Sequence, residues 1–401
     1  MTLADAQAEA RAHAPDATAL DALVRGAEAV AAQARRRLRQ NPEISATYGP
    51  GALAGRLDEL SWTVTAALPV DVSGSWKARA ASADAVVSQA QREREDGLRA
   101  LDERVAQGVA NVALQQQLVR RLERMMELQQ IAADAARRQL AVGQGAQLDA
   151  DSAQLDLASA RVALEQGRGE LAAARAVLAR LLGRPAAADL VVADPLEQPR
   201  STEPPDFNAV IDRDPRVRAA AAEVDAAKFE RQMSERLITP MPTVGVAYGF
   251  QRREIPFGSF SGTPFAGSLT ALWRDRELTL NVSVGMPLFD RQQEPRARAT
   301  SRVLATEAKL QTTRADVEAE LASAWAAFQA ASRALATVAS MPATIDRDVS
   351  FVEQAVRAGA FDAVQRTQAL RRLIEAGRVA DTAVRDFRTA RAAWVRRTVG
   401  F

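Results

Sequence analysis

The stretch that decides the fold is LSWTVTAALPV, residues 60–70. Apolar and polar residues alternate along it until a proline ends the run, and this period of two is typical of a β-strand with one apolar face. The same pattern returns as LTLNVSVGMPL at residues 278–288. Most of the surrounding chain consists of Ala-, Gln- and Arg-rich runs, which favour helices. A strand that ends at a proline therefore occurs twice in a mostly helical chain.

The chain repeats itself with an offset of 200 residues. Residues 13–49 align with residues 213–249, and two prolines, a tyrosine and a glycine match between them. The strand pattern follows at an offset of 218, and the 18 extra residues fall within 251–275. That segment is rich in Gly, Ser, Phe and Pro, which predicts a loop. The order of patterns is the same in both halves, so the chain is one unit written twice.

Each half predicts the same series of elements: a helix of roughly 35–40 residues, two strands, a very long helix, a Gly-containing turn and a return helix. The first repeat covers 1–183, with a strand pair within 42–68, a long helix over 73–142 and a return helix over 147–182. The second repeat covers 207–401, with a strand pair within 243–286, a long helix over 292–358 and a return helix over 362–399.

Two further features interrupt this plan. A linker over 184–206 joins the repeats, and we expect one short strand in it over 189–193. Met341 and Pro342 interrupt the second long helix, because proline lacks the backbone N–H that the helix ladder needs. We therefore expect a kink or a short break there.

Apolar residues on the first long helix predict neighbours on two sides. One heptad seam is interrupted by Gly108 and Gln115 and consists of Leu98, Leu101, Val105, Val112, Val119, Leu122 and Met126. A second stripe consists of Leu114, Leu118, Met125 and Leu128. A helix of some 70 residues is about 100 Å long. These features indicate a rod or tube, although a simple coiled-coil bundle would show the same seams.

The strands distinguish between a tube and a bundle. Each has an apolar face and a face of small polar residues, and the apolar faces consist of Leu60, Trp62 and Val64 in the first half and Leu278, Leu280, Val282 and Val284 in the second. Strands of ~9–11 residues with this pattern are typical of membrane β-barrels. A soluble sheet packed on helices alternates in the same way. Four strands cannot close a barrel in lipid, so several chains would have to share one.

The composition excludes several classes of function. The 52 basic and 50 acidic residues leave a net charge of +2, which gives no reason to expect nucleic acid as a partner. Cysteine is absent and His13 is the only histidine, so thiol catalysis and a histidine-rich metal site are excluded. We expect His13 on a helix surface, and neither a cofactor nor a metal site. No apolar run approaches the ~18 residues of a membrane-spanning helix.

The order of motifs resembles the TolC-like outer membrane efflux proteins. NPEISATYG followed by LPVDVSGSWKARAASADA is similar to the first strand pair of that family, and PTVGVAYGF followed by GMPLFDRQQEPRARATS is similar to the second. The stretch PLFDRQQ, residues 287–293, most resembles the branch that serves heavy-metal and other cation efflux (CzcC/CusC-like). The resemblance covers nearly the whole chain.

The resemblance implies a fold that is mainly α-helical with membrane β-strands. It implies a homotrimer with a 12-stranded β-barrel in outer membrane lipid and an α-helical tunnel through the periplasm. It also implies a periplasmic adaptor (membrane fusion) protein and an inner-membrane pump, of the RND type or another, in a tripartite efflux or type I secretion-like system. The chain would be a passive exit duct, with metal cations as the cargo of its branch. A signal peptide is expected for such a protein, and none is recognisable here.

The resemblance also implies that the two Gly-containing turns are periplasmic tips that contact the adaptor and form the gate. The corresponding residues are Gly143, Gly145, Leu148 and Asp149 in the first turn and Gly359, Phe361 and Asp362 in the second. Simple turn chemistry, with glycine at positive φ and aspartate as an N-cap, explains the same residues. Some relatives carry acidic residues six and nine positions after the second glycine, where this chain has Gln365 and Gln368.

Three classes of function compete at this point. An export duct would expose Trp62, Val64, Leu280 and Val282 to lipid, whereas a soluble helical scaffold or adaptor would bury them against protein. An enzyme is the third class. The sequence has no Ser-His-Asp set, no P-loop, no GxGxxG after a strand and no metal-ligand spacing, so we expect no enzyme.

Overall fold

The computed structural model describes residues 1–37, 41–50, 60–186, 189–193, 206–239, 241–259, 268–285, 292–357 and 363–398. In the first half the elements are α1 (Leu3–His13), α2 (Pro15–Ala34), β1 (Glu43–Pro50), β2 (Leu60–Pro69), α3 (Ser75–Ala141) and α4 (Gln147–Leu181). In the second half they are α5 (Phe207–Arg213), α6 (Pro215–Arg236), β3 (Pro242–Ser259), β4 (Ser268–Val284), α7 (Gln293–Val338), α8 (Met341–Arg357) and α9 (Ala363–Thr398). No helix in the described ranges is both long and apolar enough to cross a membrane.

Most element bounds follow the sequence pattern. The long helix α3 and the return helix α4 begin and end within two residues of the predicted positions. The expected break before Pro342 is confirmed, because α7 ends at Val338 and α8 begins at Met341. His13 is exposed at the end of α1, also as expected.

The prediction of one uninterrupted helix before each strand pair was wrong. In both halves that segment is two helices, divided at Ala14 and at Asp214. These residues have ψ angles of 136° and 128°, which are extended rather than helical. Each precedes a proline, Pro15 or Pro215, and the proline ring excludes the residue before it from the helical region. The matched prolines of the repeat therefore divide a helix at the same place twice.

The sheet has the order β1-β2-β3-β4, and every neighbouring pair is antiparallel. The prediction of a loop over 251–275 was wrong for most of that segment. β3 continues to Ser259 and β4 begins at Ser268, and paired residues extend from Gln251 opposite Asp275 to Pro256 opposite Thr270. Among the described residues, the pairing of β2 with β3 ends at Ser61 opposite Gln251. The rest of β3 is there paired on one side only, with β4, which is compatible with Pro256 in that strand.

The prediction of a short strand over 189–193 was also wrong, because these residues are irregular. They are nevertheless tied to the amino terminus. The Met1 ammonium donates to the Val191 carbonyl at 3.1 Å, and the Ala193 N–H donates to the Met1 carbonyl at 3.2 Å. Leu190 and Val192 are buried in the same cluster as residues of α1, α3 and α4. Leu190 and Val192 are thus buried without forming a strand.

The first compact unit contains Met1–Val24, Gln91–Ala219 and Gln311–Phe401. Its core contains the first predicted seam of α3 and, from the second stripe, Leu128. Leu101, Val105 and Val112 are completely buried in one cluster with α4 residues such as Leu178. Leu128, from the second stripe, packs with Val352 of α8 and Leu370 of α9. The prediction that α3 has neighbours on two sides is therefore confirmed.

The second compact unit contains Arg25–Ala90 and Ala220–Leu310, and the sheet lies in it. Its helical part is held by contacts between α2, α3, α6 and α7. The Ser82 hydroxyl donates to the Ala226 carbonyl at 3.2 Å, and Arg35 pairs with Asp84 at 2.7 Å. In chain order, β1 comes after α2 and β3 comes after α6.

Candidate functional site: the sheet face and the helical turns

The apolar residues of all four strands lie on one face of the sheet. The antiparallel register places them in rows that cross from the first repeat to the second. The rows are Tyr48–Trp62–Phe250, Ala46–Val64–Tyr248–Leu278, Ile44–Ala66–Val246–Leu280 and Leu68–Val244–Val282. The residues predicted to share a face in each half therefore share one face of the whole sheet. The side chain of Leu60 lies outside the described part.

This apolar face is open to the surroundings of the chain. Leu278, Leu280 and Val282 are 73%, 70% and 62% exposed, and Val64 and Val284 are also exposed. A soluble monomer rarely exposes a contiguous apolar patch of this kind unless it is an interaction site. Sequence reasoning had not assigned faces to β1 and β3, whose exposed apolar residues are Ile44, Tyr48, Val244, Val246 and Tyr248. The alternation in EISATYG and TVGVAYGF would have been the signal.

Aromatic rings gather at one end of the apolar face. The Trp62 ring lies edge-on to Tyr248, with centroids 5.7 Å apart, and stacks on Phe250 at 6.4 Å. Tyr48 lies opposite Trp62 on β1. Aromatic rings of this kind concentrate where a membrane protein crosses the boundary between lipid and water. Along β3, the apolar band from Val244 to Phe250 is about 20 Å long at ~3.4 Å per residue.

The opposite face of the sheet carries small and polar residues. Its rows are Ser45–Thr65–Ala247–Thr279 and Thr47–Thr63–Gly249–Glu277. The Thr279 hydroxyl donates to the Glu277 carboxylate at 3.1 Å. The two faces therefore differ in chemistry along the described part of the sheet, one apolar and one wettable.

The junction between β2 and α3 is held by Asp71, which sequence reasoning missed. Its carboxylate accepts hydrogen bonds from the Ser75 hydroxyl at 2.6 Å, the Ser73 hydroxyl at 2.7 Å and the Trp76 N–H at 3.0 Å. Burial tends to raise the pKa of Asp71, but these hydrogen bonds outweigh burial and hold the pKa below its ordinary value. These hydrogen bonds fix the start of α3 at Ser75, shortly after β2 ends at Pro69.

The first Gly-containing turn lies between α3 and α4. Gly143 has a φ of 74°, and its N–H and that of Gln144 donate to the carbonyls of Leu140 and Gln139. This is the glycine end of a helix, where a side chain would be strained. Turn chemistry predicted Asp149 as the N-cap of α4, but Asp149 does not hold that position. The N-cap is Ala146, which makes no side-chain cap, and Asp149 lies in the first turn.

The first turn exposes apolar side chains close to Asp149 in the sequence. Leu148 is 77% exposed and Val142, which sequence reasoning missed, is 69% exposed. Gly145 approaches the preceding helix closely, because a Cβ there would lie 3.2 Å from the Leu140 backbone nitrogen. The turn therefore brings Gly143, Gly145, Leu148 and Asp149 together at one end of a helical hairpin.

The second turn lies largely outside the described residues. Gly359, Phe361 and Asp362 fall in that gap, and so does the side chain of Gln365. Gln368 lies on α9 and is exposed. Close to it, Leu370 packs with Val352 of α8. Among the described residues, no group of three or more His, Asp or Glu side chains could hold a metal ion.

The family described as "Outer membrane efflux protein" matches residues 7–184 and 207–395. Those two segments cover most of both repeats, and the interval between them falls in the linker. A search of curated protein sequences finds no match.

Solved structures with a similar fold include outer-membrane channels. The outer-membrane channel OprN is 20% identical with a TM-score of 0.76, over 99% of this chain and 89% of that one. CusC, whose structures concern folding and transmembrane channel formation, is 17% identical with a TM-score of 0.74, over 100% and 92%. The outer membrane protein VceC from Vibrio cholerae is 16% identical with a TM-score of 0.72, over 99% and 95%.

Proposed function

Because the chain belongs to the outer membrane efflux protein family, and so is a channel protein rather than an enzyme, we propose that it is the exit duct of a tripartite efflux or type I secretion-like system. In this proposal it conducts passively what an inner-membrane pump delivers through a periplasmic adaptor. Its strands lie in the outer membrane and its long helices extend into the periplasm.

The observation that carries the proposal is the exposed apolar face of the sheet. A helical scaffold with a small β-domain would bury Leu280 and Val282 against protein, but both are exposed on the chain. Leaving such a face in water forgoes roughly 25 cal/mol for every Å² of apolar surface that could be covered. Lipid covers it without a further protein partner. The aromatic cluster of Trp62, Tyr248 and Phe250 fits one boundary of the lipid layer.

The edges of the sheet support assembly with further copies, and the family resemblance makes that assembly a homotrimer. β1 and β4 are the outer strands, and their unpaired backbone groups cannot remain open in lipid. Three copies would join edge to edge into a 12-stranded barrel, within the size range of bacterial outer-membrane barrels. The small polar face with Thr63, Gly249 and Thr279 would then line a water-filled lumen.

The helical turns fit contacts with an adaptor. Val142 and Leu148 are exposed apolar residues next to Asp149, and such a combination suits a protein partner. We assign the same role to the second turn with Gly359, Phe361 and Asp362, and assign the gate to the segment that includes Gln365 and Gln368. Because Gln365 and Gln368 carry amides rather than carboxylates, these two residues add no negative charge to the proposed gate.

Metal cations are the cargo that the resemblance of PLFDRQQ favours. A wide duct needs no tight binding site, so the lining residues carry little information on cargo. The test is growth of an efflux-deficient strain on graded metal salts and on a panel of dyes and antibiotics, with the gene and its cognate pump supplied. Protection against the organic compounds alone would exclude metal export.

The duct itself is tested by assembly and conductance. The protein is produced with a secretion signal, extracted in detergent from the outer-membrane fraction and weighed by light scattering or native mass spectrometry. We expect a trimer that opens ion-conducting pores in planar bilayers. A soluble monomer that needs no detergent would refute the duct, because the sheet would then pack on helices.

A further inference from the structure

Two hydrogen bonds between helices join the repeats within the second compact unit. The Ser82 hydroxyl on α3 donates to the Ala226 carbonyl on α6 at 3.2 Å, and this bond is buried. The Arg236 guanidinium, at the end of α6, donates at 2.9 Å to the Gly74 carbonyl just before α3. The pairing of β2 with β3 lies in the same unit. One repeat therefore contacts the other there through α3 and β2 on one side and α6 and β3 on the other.

The backbone shows which residues of the two repeats correspond. Residues 74 and 292, related by the offset of 218, both lie in the left-handed region, with φ of 71° at Gly74 and 59° at Gln292. α3 begins directly after the first of them and α7 directly after the second. α2 and α6 begin at Pro15 and Pro215, which are related by the offset of 200. The two offsets therefore identify the counterpart of each contact residue.

The counterparts of the Ser82–Ala226 bond are uncovered. Ser82 corresponds to Thr300 on α7 and Ala226 to Gly26 on α2, so a hydroxyl and a backbone carbonyl recur. Ser82 and Ala226 are buried, whereas Thr300 and Gly26 are exposed, and a Cβ added to Gly26 would meet no atom within 4 Å. The Thr300 hydroxyl donates to the Arg296 carbonyl at 2.9 Å, a bond that a change of χ1 rotamer can exchange.

The second bond has a counterpart of the same chemistry. Arg236 corresponds to Arg36, which is exposed, and Gly74 corresponds to Gln292. An arginine thus recurs together with a backbone carbonyl in the left-handed region. The Gln292 carbonyl accepts one backbone N–H, and a carbonyl oxygen can accept a second hydrogen bond. Both contacts between the repeats therefore keep their donor groups at the counterpart positions.

The outer strands correspond in the same way. Val64 on β2 lies opposite Tyr248 on β3, and the counterparts of this pair are Val282 on β4 and Tyr48 on β1. Both counterparts are exposed and belong to the apolar face. Pairing of β4 with β1 of another copy in this register would therefore continue the apolar face without a slip.

We propose that the start of α7 in one copy packs against α2 of the next copy, in the way that α3 packs against α6 within the chain. Thr300 donates to the Gly26 carbonyl of the next copy. Arg36 of that next copy donates to the Gln292 carbonyl. A second copy is the fitting occupant because the two exposed surfaces are the two sides of a contact that the chain already makes between its own repeats.

This contact joins two different surfaces, so it is heterologous and forms a closed assembly only as a ring. The inference rests on the proposed homotrimer for the number of copies. It adds a contact between helices to the contact between strand edges, and it names the residues of both.

Cysteine pairs test the contact directly, because the chain contains no cysteine of its own. The double variant Gly26→Cys, Thr300→Cys is produced with a secretion signal, extracted in detergent and oxidised. We expect covalent dimers and trimers on non-reducing gels, since a disulfide forms where Cα atoms are about 4.4–6.8 Å apart.

Two further cysteine pairs calibrate this result. Ser82→Cys with Ala226→Cys should cross-link within one chain and leave the copies separate, which shows that a contact of this kind admits a disulfide. Gly26→Cys with Ala305→Cys is the matched control and should give no cross-link. Ala305 is exposed and lies about 140° around α7 from Thr300.

The second bond is tested by Arg36→Gln. It should raise the dissociation constant between copies about tenfold, as expected for loss of a hydrogen bond from a charged donor. Native mass spectrometry over a dilution series measures this constant. Arg35→Gln is the matched control, because Arg35 pairs with Asp84 of its own copy at 2.7 Å, and it should leave the constant unchanged.

The outcomes separate this contact from the proposed function. A trimer that conducts but does not cross-link through Gly26→Cys and Thr300→Cys, although the pair at Ser82 and Ala226 does, would refute the contact and leave the duct standing. Equal cross-linking of the pair with Ala305→Cys would also refute it, because chance collisions would then explain the bands. A monomer that needs no detergent would refute both proposals.

Discussion

Val64 on β2 lies directly opposite Tyr248 on β3 in the antiparallel register. Val64 belongs to the first repeat and Tyr248 to the second, so this pair joins the two repeats in one apolar face. Trp62 extends the contact, because its ring also touches Tyr248. A slip of one residue at this pairing would turn every side chain of the second hairpin to the opposite face.

The first prediction concerns the apolar face. Val282→Asp should strongly reduce the amount of protein in the outer-membrane fraction while helix content by circular dichroism stays close to that of the parent. A charge on the lipid face costs ~2–4 kcal/mol at the middle of the bilayer for basic residues, and somewhat less for acidic ones. Val64→Asp should behave in the same way, since Val64 lies on the same face.

The matched control for that experiment is Ser283→Asp. Ser283 is the next residue on β4, and it lies on the small polar face opposite Thr243. A carboxylate there would meet water in the proposed lumen, so insertion should remain near the parent level. Equal insertion of Val282→Asp and Ser283→Asp would show that the two faces were assigned wrongly.

Much of the fold was predictable because the repeat states each pattern twice. The long helices have heptad seams, and the strands alternate up to a proline, so Pro69 and the start of α3 follow from the sequence. The division of the helices at Ala14 and Asp214 was equally visible in the matched prolines, because proline favours the first position of a helix and excludes the residue before it from helical angles.

The candidate site was less predictable, for physical reasons. Residues 251–275 look like a loop by composition, and only pairing between β3 and β4 makes the described parts, 251–259 and 268–275, extended. Asp71 was missed because its role depends on three local donors brought together by a turn. Arg121 and Asp381 lie 260 residues apart, and no local pattern indicates that they meet.

The second prediction concerns the first turn. Asp149→Lys should reduce adaptor-dependent efflux in cells by more than it reduces the yield of trimer. The reversed charge meets the positive end of the α4 dipole, which costs only about 0.3–1 kcal/mol at an exposed position. Asp149→Lys should therefore reverse the charge of the proposed contact surface while lowering the stability of the fold only slightly. Asp362→Lys is the corresponding change in the second turn.

The control for the turn is Glu170→Lys, an exposed acid on the same helix and far along it from Asp149. It makes the same change in net charge and should leave efflux unaltered. If efflux with both Asp149→Lys and Asp362→Lys equals that of the parent, the turns are not adaptor contacts.

The third prediction concerns pH and Asp71. The folded state lowers the pKa of this carboxyl, so its stabilising effect is complete above the ordinary pKa and is lost as the pH falls through the folded value. Asp71→Ala should lower the free energy of unfolding by about 0.5–2 kcal/mol at pH 7, as loss of a helix cap does. The difference from the parent should shrink as the pH falls below the ordinary aspartate pKa of about 4 and through the lower pKa of the folded state.

Thermal unfolding of the parent and of Asp71→Ala at a series of pH values measures this effect. Asp71→Asn is the informative companion, because its amide oxygen still accepts hydrogen bonds but carries no charge. It should lie between the other two at pH 7. A difference between parent and Asp71→Ala that stays constant down to pH 2 would mean that the carboxylate charge has no part in holding the junction.

The fourth prediction compares two glycines on α4. A Cβ at Gly167 would lie 2.8 Å from the Leu122 Cδ1, inside the seam between α3 and α4, whereas a Cβ at Gly169 would meet no atom within 4 Å. Leucine at either position gains the same helix propensity over glycine, up to about 1 kcal/mol. Gly169→Leu should therefore raise the unfolding temperature slightly. Gly167→Leu should lower it, because overpacking a core costs ~1–3 kcal/mol. If both variants were equally stable, α3 and α4 would not be packed as closely as the seam requires.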